Sequence, residues 1–365
     1  MKALRRFGSG LGGVVDGAVL SALRFAFISA PGGRRDRDEA LEASGGEHDR
    51  RALLLTAIDY YEREAVRRSF FPPPPPATPT TRARGRLPDG GEVLDLAWPS
   101  PFVPHWEAPR AEYLGHEANR AAKVRALLHP RPAKTAILCL HGYKGGGSWF
   151  LEERAFQTRW LYSLGADVAL FTLPFHGARA GKRAPSWPSP NPVRTNEGFG
   201  HAIHDLRALI AWLRARPGAE DQRIAVVGMS LGGYTTSLLA TTDELDFIAP
   251  MIPVASWPEL LWSHGEGSPE RARAERDGIS LELLRRAMSI VSPLERKPLL
   301  DPDRVLVLSS MGDRIAPPEH AERLARHFGG VHVPLPGGHV LQLGRREAFT
   351  SIAQRLALLG LIPKR

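Results

Sequence analysis

Val226-Val227-Gly228-Met229-Ser230-Leu231-Gly232-Gly233 is the stretch that decides the fold. A short apolar run, Arg223–Val227, enters it, and a helical pattern, Leu231–Thr241, leaves it. The form is G-x-S-x-G. A serine held on a sharp turn between a strand and a helix projects its hydroxyl clear of the sheet. Bulky residues two positions to either side would strike the adjoining strand and helix. The turn also sets Ser230 at a helix N-terminus, where developing negative charge is favoured. These residues point to a nucleophile. A Gly-rich turn without chemistry is the plainer alternative, and the flanking strand and helix count against it.

Outward from the turn, short β-rich runs alternate with helical patterns. Glu92–Trp98, Lys123–Leu128, Thr135–Leu140, Asp167–Leu173, Phe247–Val254, Val305–Ser309 and Val331–Leu335 read as strands. Phe150–Leu164, Thr195–Arg216, Pro318–Phe328 and Arg345–Leu359 read as helices. The alternation predicts an α/β class, with a mostly parallel central sheet and helices on both faces. Ligand sites in such sheets form where strand C-termini meet the loops.

Leu140-His141-Gly142-Tyr143-Lys144-Gly145-Gly146-Gly147 closes the buried run Thr135–Leu140. A serine nucleophile needs two N–H donors for its tetrahedral intermediate. Leu231, directly after the serine, supplies one, and Tyr143 is the candidate for the other. Neither G-x-x-x-x-G-K-[ST] nor a full G-x-G-x-x-G occurs, so nucleotide binding is not expected. The serine also needs a base held by a carboxylate. Of 13 histidines, His339 follows the last strand in Gly337-Gly338-His339. Asp313 follows the strand before it, in Ser310-Met311-Gly312-Asp313. Asp243, Asp246, Asp301 and Asp303 precede their strands and are weaker rivals.

The order Ser230, Asp313, His339, together with the His141-Gly142 turn, resembles the α/β-hydrolase superfamily over residues 92–360. Leu173-Pro174-Phe175-His176-Gly177 is similar to that family's Pro-x-His-Gly turn. The resemblance implies an α/β-hydrolase fold and a Ser230, His339, Asp313 triad. It says little about substrate. An Arg-rich stretch at Arg179–Arg183 and the N-terminal extension depart from the pattern.

Composition narrows the rest. The single cysteine, Cys139, rules out an internal disulfide and Cys-based metal sites, and reads as an inert core thiol. One thiol fits a cytoplasmic protein. His201, His204 and Asp205 share a helix face, but no further ligand cluster accompanies them. Packing histidines are expected there, and no metal or cofactor. The net charge is +9, with more than half of the excess in the first 86 residues. No nucleic-acid motif goes with it, while weak attraction to anionic surfaces does follow.

Asp16 and Arg24 interrupt the apolar stretch within residues 1–30, which argues against a membrane span or a cleaved signal. Val15, Val19, Ala22, Leu23 and Ala26 recur at helical spacing. They predict a helix packed on the main domain, with a peripheral membrane contact as the alternative. Residues 50–69 read as one helix, and Pro72–Pro76 as a polyproline spacer. The expected organisation is a helical appendage with linker over 1–86 and an α/β-hydrolase domain over 87–365. A small helical cap is placed at about 256–298. His141, His176 and Trp257 are candidates for the substrate pocket.

The expected function is a serine hydrolase that cleaves a carboxylic ester through an acyl-enzyme. The substrate would be a small-molecule or lipid ester. Alternatives are a lipase, phospholipid or thioester acyl hydrolase at a membrane surface, and a non-catalytic scaffold built on the polyproline run.

Overall fold

The computed structural model describes residues 9, 10, 12–17, 49–182 and 184–364. The helical pattern expected between residues 18 and 26 lies outside the described residues. One sheet runs through the described chain. Its strands are β1 (Thr80–Arg86), β2 (Glu92–Pro99), β3 (Ala121–Leu128), β4 (Thr135–Leu140), β5 (Asp167–Phe171), β6 (Arg223–Met229), β7 (Phe247–Met251), β8 (Leu306–Ser310) and β9 (Val331–Leu335). They lie in the order β1-β2-β3-β5-β4-β6-β7-β8-β9. The pairs β1/β2, β2/β3 and β3/β5 are antiparallel, and every pair from β5/β4 to β8/β9 is parallel.

Strand β4 shows why the sheet sits where it does. All six of its residues are buried. Ala136, Leu138 and Leu140 pack into the core on one face, and Ile137 and Cys139 into the core on the other. Period-two alternation with both faces apolar is what a central parallel strand requires. The first face is covered by the helices Pro192–Arg214, Leu231–Leu239 and Pro318–Phe328, the second by Thr158–Ser163 and Arg345–Leu358. Cys139 is buried in the second core, and burial pushes its thiol pKa up. This is an α/β sheet of the expected class.

Three expectations need correction. The sheet begins at Thr80, inside the segment expected to be a helical appendage. Residues 80–86 read Thr-Thr-Arg-Ala-Arg-Gly-Arg, are all exposed, and pair antiparallel with β2. An edge strand with charged side chains needs no apolar face, because it buries none. The helix expected over 50–69 is two helices, Asp49–Tyr61 and Glu64–Ser69. Leu54, Ala57, Ile58 and Tyr61 of the first sit in the main core, and the Tyr61 hydroxyl donates to Glu197 at 2.8 Å. This helix is thus part of the domain, ahead of the proline run.

The helix expected over 150–164 is likewise broken, into Trp149–Ala155 and Thr158–Ser163. Gln157, between them, is left-handed with φ 49°. Between β7 and β8 lie the helices Trp257–His264, Pro269–Arg276 and Leu281–Ala287. The last of these is tied to the first described long helix by Arg286, which donates twice to Glu62 (2.9 and 2.7 Å). No helix among the described residues is long and apolar enough to cross a membrane.

Candidate active site

The site forms at one edge of the sheet, where the loops after β4, β6, β8 and β9 meet. Ser230 follows β6, the strand that pairs with both β4 and β7. It holds φ 54° and ψ −112°. A non-glycine residue in that region is strained by about 1–3 kcal/mol and persists only where its surroundings dictate it. Here they do. The Ser230 N–H donates to Met251 O at 2.9 Å, and the helix Leu231–Leu239 starts at the next residue.

The flanking glycines are required by close approach. A Cβ on Gly228 would lie 2.1 Å from Gly232 O, and one on Gly232 would lie 1.9 Å from Leu140 O. The second obstacle is the backbone of β4 and cannot swing aside. Gly232→Ala is therefore expected to cost about 3 kcal/mol. Urea denaturation checks this: a midpoint within error of wild type would show that the elbow has slack the geometry denies.

The three expected side chains converge. His339 Nε2 is 2.9 Å from Ser230 Oγ, and His339 Nδ1 is 2.7 Å from Asp313 Oδ2. The other Asp313 oxygen accepts the N–H groups of Ile315 (2.9 Å) and Ala316 (2.7 Å). Those bonds aim Oδ2 at the ring. With Nδ1 as donor to the carboxylate, Nε2 is left to accept from the serine hydroxyl. Of the rival carboxylates, Asp246 is taken up by Arg223 and the Ile224 N–H, and Asp243 by Arg207.

Leu231 opens its helix, so its N–H falls in the turn that has no intrahelical acceptor. The loop after β4 passes close by: a Cβ on Gly142 would lie 3.5 Å from Ser230 Cβ. Tyr143 follows on that loop, half-buried, its ring 5.8 Å from that of His176. The loop turns through Lys144 at φ 60° and Gly146 at φ 74°.

The pocket candidates fare differently. His141 is engaged by the backbone on both ring nitrogens. It is buried, its Nε2 accepts the Leu173 N–H at 3.0 Å and its Nδ1 donates to Gly142 O at 2.8 Å. It fastens the β4 loop to the β5 loop. Burial pushes its pKa down to about 4. His176 is also buried, donates from Nδ1 to Pro174 O at 2.9 Å, and is pushed by burial down to about 3. Trp257 opens the helix after β7, buried in the main core, with its Nε1 lacking a hydrogen-bond partner.

These shifts set a pH dependence. An unfolded histidine titrates near 6.5. Between that pH and about 4 the unfolded chain binds protons that folded His141 and His176 refuse. Stability is therefore lost as the pH falls through this window. Glu197, raised by burial to about 7, acts with the opposite sign. Two imidazoles against one carboxyl leave a net loss. The melting temperature is expected to drop steadily from pH 6.5 to pH 4 in scanning calorimetry, and a flat profile would contradict the buried neutral imidazoles.

What sequence reasoning did not foresee is the pairing of Arg179 with Asp205. Arg179, in the Arg-rich stretch, is fully buried and pairs with Asp205 at 2.8 Å. Its guanidinium also donates to Thr172 O (3.1 Å) and Asn119 O (2.9 Å). His201 and His204 belong to this network, both within hydrogen-bond reach of Asp205. No group of metal-binding side chains was found among the described residues.

Residues 196–330 match the prolyl oligopeptidase family model, a stretch that holds Ser230 and Asp313 and stops short of His339. An uncharacterized protein of Mycobacterium tuberculosis is 29% identical over 271 residues, 72% of this chain and 63% of its own length. The chain thus spans 63% of the length of the curated relatives it matches. Acetyl xylan esterase 1 from Thermoanaerobacterium sp. superposes with a TM-score of 0.56 at 14% identity, over 84% of this chain and 93% of that one. The acetyl xylan esterase of Paenibacillus sp. gives 0.55 at 14% identity, over 82% and 93%. At that identity the likeness concerns the fold. The protein is an α/β-hydrolase by fold, as the sequence resemblance implied.

Proposed function

We propose that this chain is a serine hydrolase that cleaves carboxylic esters through an acyl-enzyme intermediate. One observation carries the proposal: the unbroken relay from Ser230 Oγ through His339 to Asp313, at 2.9 and 2.7 Å. Ser230 attacks the acyl carbon while His339 takes its proton. The Leu231 and Tyr143 N–H groups hold the oxyanion. His339 then protonates the leaving oxygen, and a water activated by the same imidazole releases the acid. Asp313 stabilises the imidazolium throughout. The acetyl xylan esterases of like fold support an ester substrate, and an alkoxide leaving group asks less of the acid than an amine does.

The family model supplies one specific reason for a second reading, in which the scissile bond is an amide. The test is hydrolysis of a graded panel: p-nitrophenyl esters from acetyl to palmitoyl, phospholipid vesicles, and peptidyl p-nitroanilides. Turnover of short acyl esters above the anilides supports the proposal. Turnover confined to the anilides selects the amide reading, and turnover confined to vesicles selects a lipid acyl hydrolase. A wild-type protein that neither hydrolyses the panel nor takes up a fluorophosphonate would refute all three.

A further inference from the structure

We propose that Asp16, from the N-terminal segment, is a positioning residue for the catalytic base, a role that rests on the serine-hydrolase reading above. His339 sits on a turn beyond β9, outside any regular element. Something must therefore hold its backbone if its ring is to stay in line between Ser230 and Asp313. The fold supplies part of this: Gly312 N–H donates to Gly337 O at 2.8 Å, and Gly338 N–H to Leu341 O at 2.9 Å. Asp16 supplies the rest.

Its side chain is fully buried. One oxygen accepts the N–H of His339 at 2.6 Å and the N–H of Arg314 at 3.2 Å. The other accepts the N–H of Val340 at 2.9 Å. A single carboxylate thus bonds the turn that carries the base to the turn that carries Asp313, across 298 to 324 residues of sequence. Charge-assisted bonds to backbone N–H groups are the stronger kind. Both loops are clamped at the residue that matters or at its immediate neighbour.

The docking is shaped from both sides. The stretch 12–17 is helical. A Cβ on Gly12 would lie 2.2 Å from Gly338 N, and one on Gly338 would lie 2.6 Å from an Asp16 carboxylate oxygen. A Cβ on Gly312 would lie 2.0 Å from Ser9 O. Glycine stands on each face of the contact, so backbone approaches backbone closely and leaves room for the Asp16 carboxylate. A segment that merely covered the surface would not need that fit.

The consequence is that acyl transfer depends on residues 12–17 being seated. A misplacement on the order of 1 Å in a reacting group can cost about 100-fold in rate. In the full chain, Asp16→Ala is expected to lower kcat about 10- to 100-fold, with KM within about threefold of wild type. Labelling of Ser230 by a fluorophosphonate should slow by the same factor. Asp16→Asn should recover part of the loss, because its remaining carbonyl oxygen still accepts the two N–H groups that share one carboxylate oxygen. Gly12→Ala, which lifts the segment without touching the carboxylate, should act in the same direction as Asp16→Ala. All variants are assayed well below their melting temperatures.

If Asp16→Ala or Gly12→Ala melts earlier but turns over and labels at the wild-type rate, the clamp is only structural and the inference is overturned. A KM rise at constant kcat overturns it too, because that is the signature of a lost substrate contact. If wild type takes no label at Ser230, the nucleophile assignment itself falls and the inference falls with it. Wild-type labelling therefore separates the two failures.

Discussion

Ser230→Ala is expected to lose acyl transfer by about 10⁴-fold or more, with substrate binding and stability largely kept. In the mechanism proposed above, that hydroxyl forms the acyl-enzyme, and the relay behind it has no other outlet. His339 Nε2 faces that oxygen at 2.9 Å, and Cys139, the one thiol, is buried in the core on the far side of β4 from the main cluster. Alanine also relaxes nothing in the turn, since it keeps the Cβ at φ 54°. The variant should fold like wild type and take no fluorophosphonate. Asp313→Asn offers a graded comparison: it keeps the shape but disturbs the tautomer, and is expected to cost up to about 10⁴-fold while leaving the serine available to the probe, slowly. Ser230→Ala protein that retained more than a few per cent of wild-type turnover would mean that a different group attacks.

The convergence of these three residues was legible in the sequence because each lies at the end of an apolar strand, and strand ends in a parallel sheet share an edge. Thr135–Leu140 could be read to the residue, since a strand buried on both faces is continuous in apolar character. Where burial gives no pattern, legibility failed. Thr80–Arg86 is exposed at every residue and has no apolar face, so nothing in its composition announces a strand. The break at Gln157 has no glycine or proline to mark it. Asp16 appeared only as an interruption of an apolar run. Its three donors lie some 300 positions away, and no local rule pairs a carboxylate with backbone N–H groups at that distance. His141 repeats the pattern: its place beside the nucleophile turn was legible, but its two backbone partners were not.

The largest expected effect on stability falls on Arg179, a residue with no place in the chemistry. Arg179→Met is expected to cost about 3–5 kcal/mol, because it strands the Asp205 charge in a site without solvent. Arg179 lies on the loop after β5, and Asp205 on the helix Pro192–Arg214. Their pairing pins one to the other, and the Asp205 pKa is held well below the usual carboxylate range by His201 and Arg179, against the opposing pull of burial. The guanidinium also ties down the carbonyls of Thr172 and Asn119. This fixes the backbone on which Gly177 meets the loop after β4: a Cβ there would lie 1.9 Å from Gly146 O. Loss of Arg179 should thus reach catalysis through the β5 and β4 loops, after it has reached stability. Asp205→Asn removes the stranded charge, so Arg179→Met/Asp205→Asn should lose clearly less than the sum of the two single variants in urea denaturation. Additive losses would mean that the two side chains stabilise the fold separately, and that the loop is held by something other than their pairing.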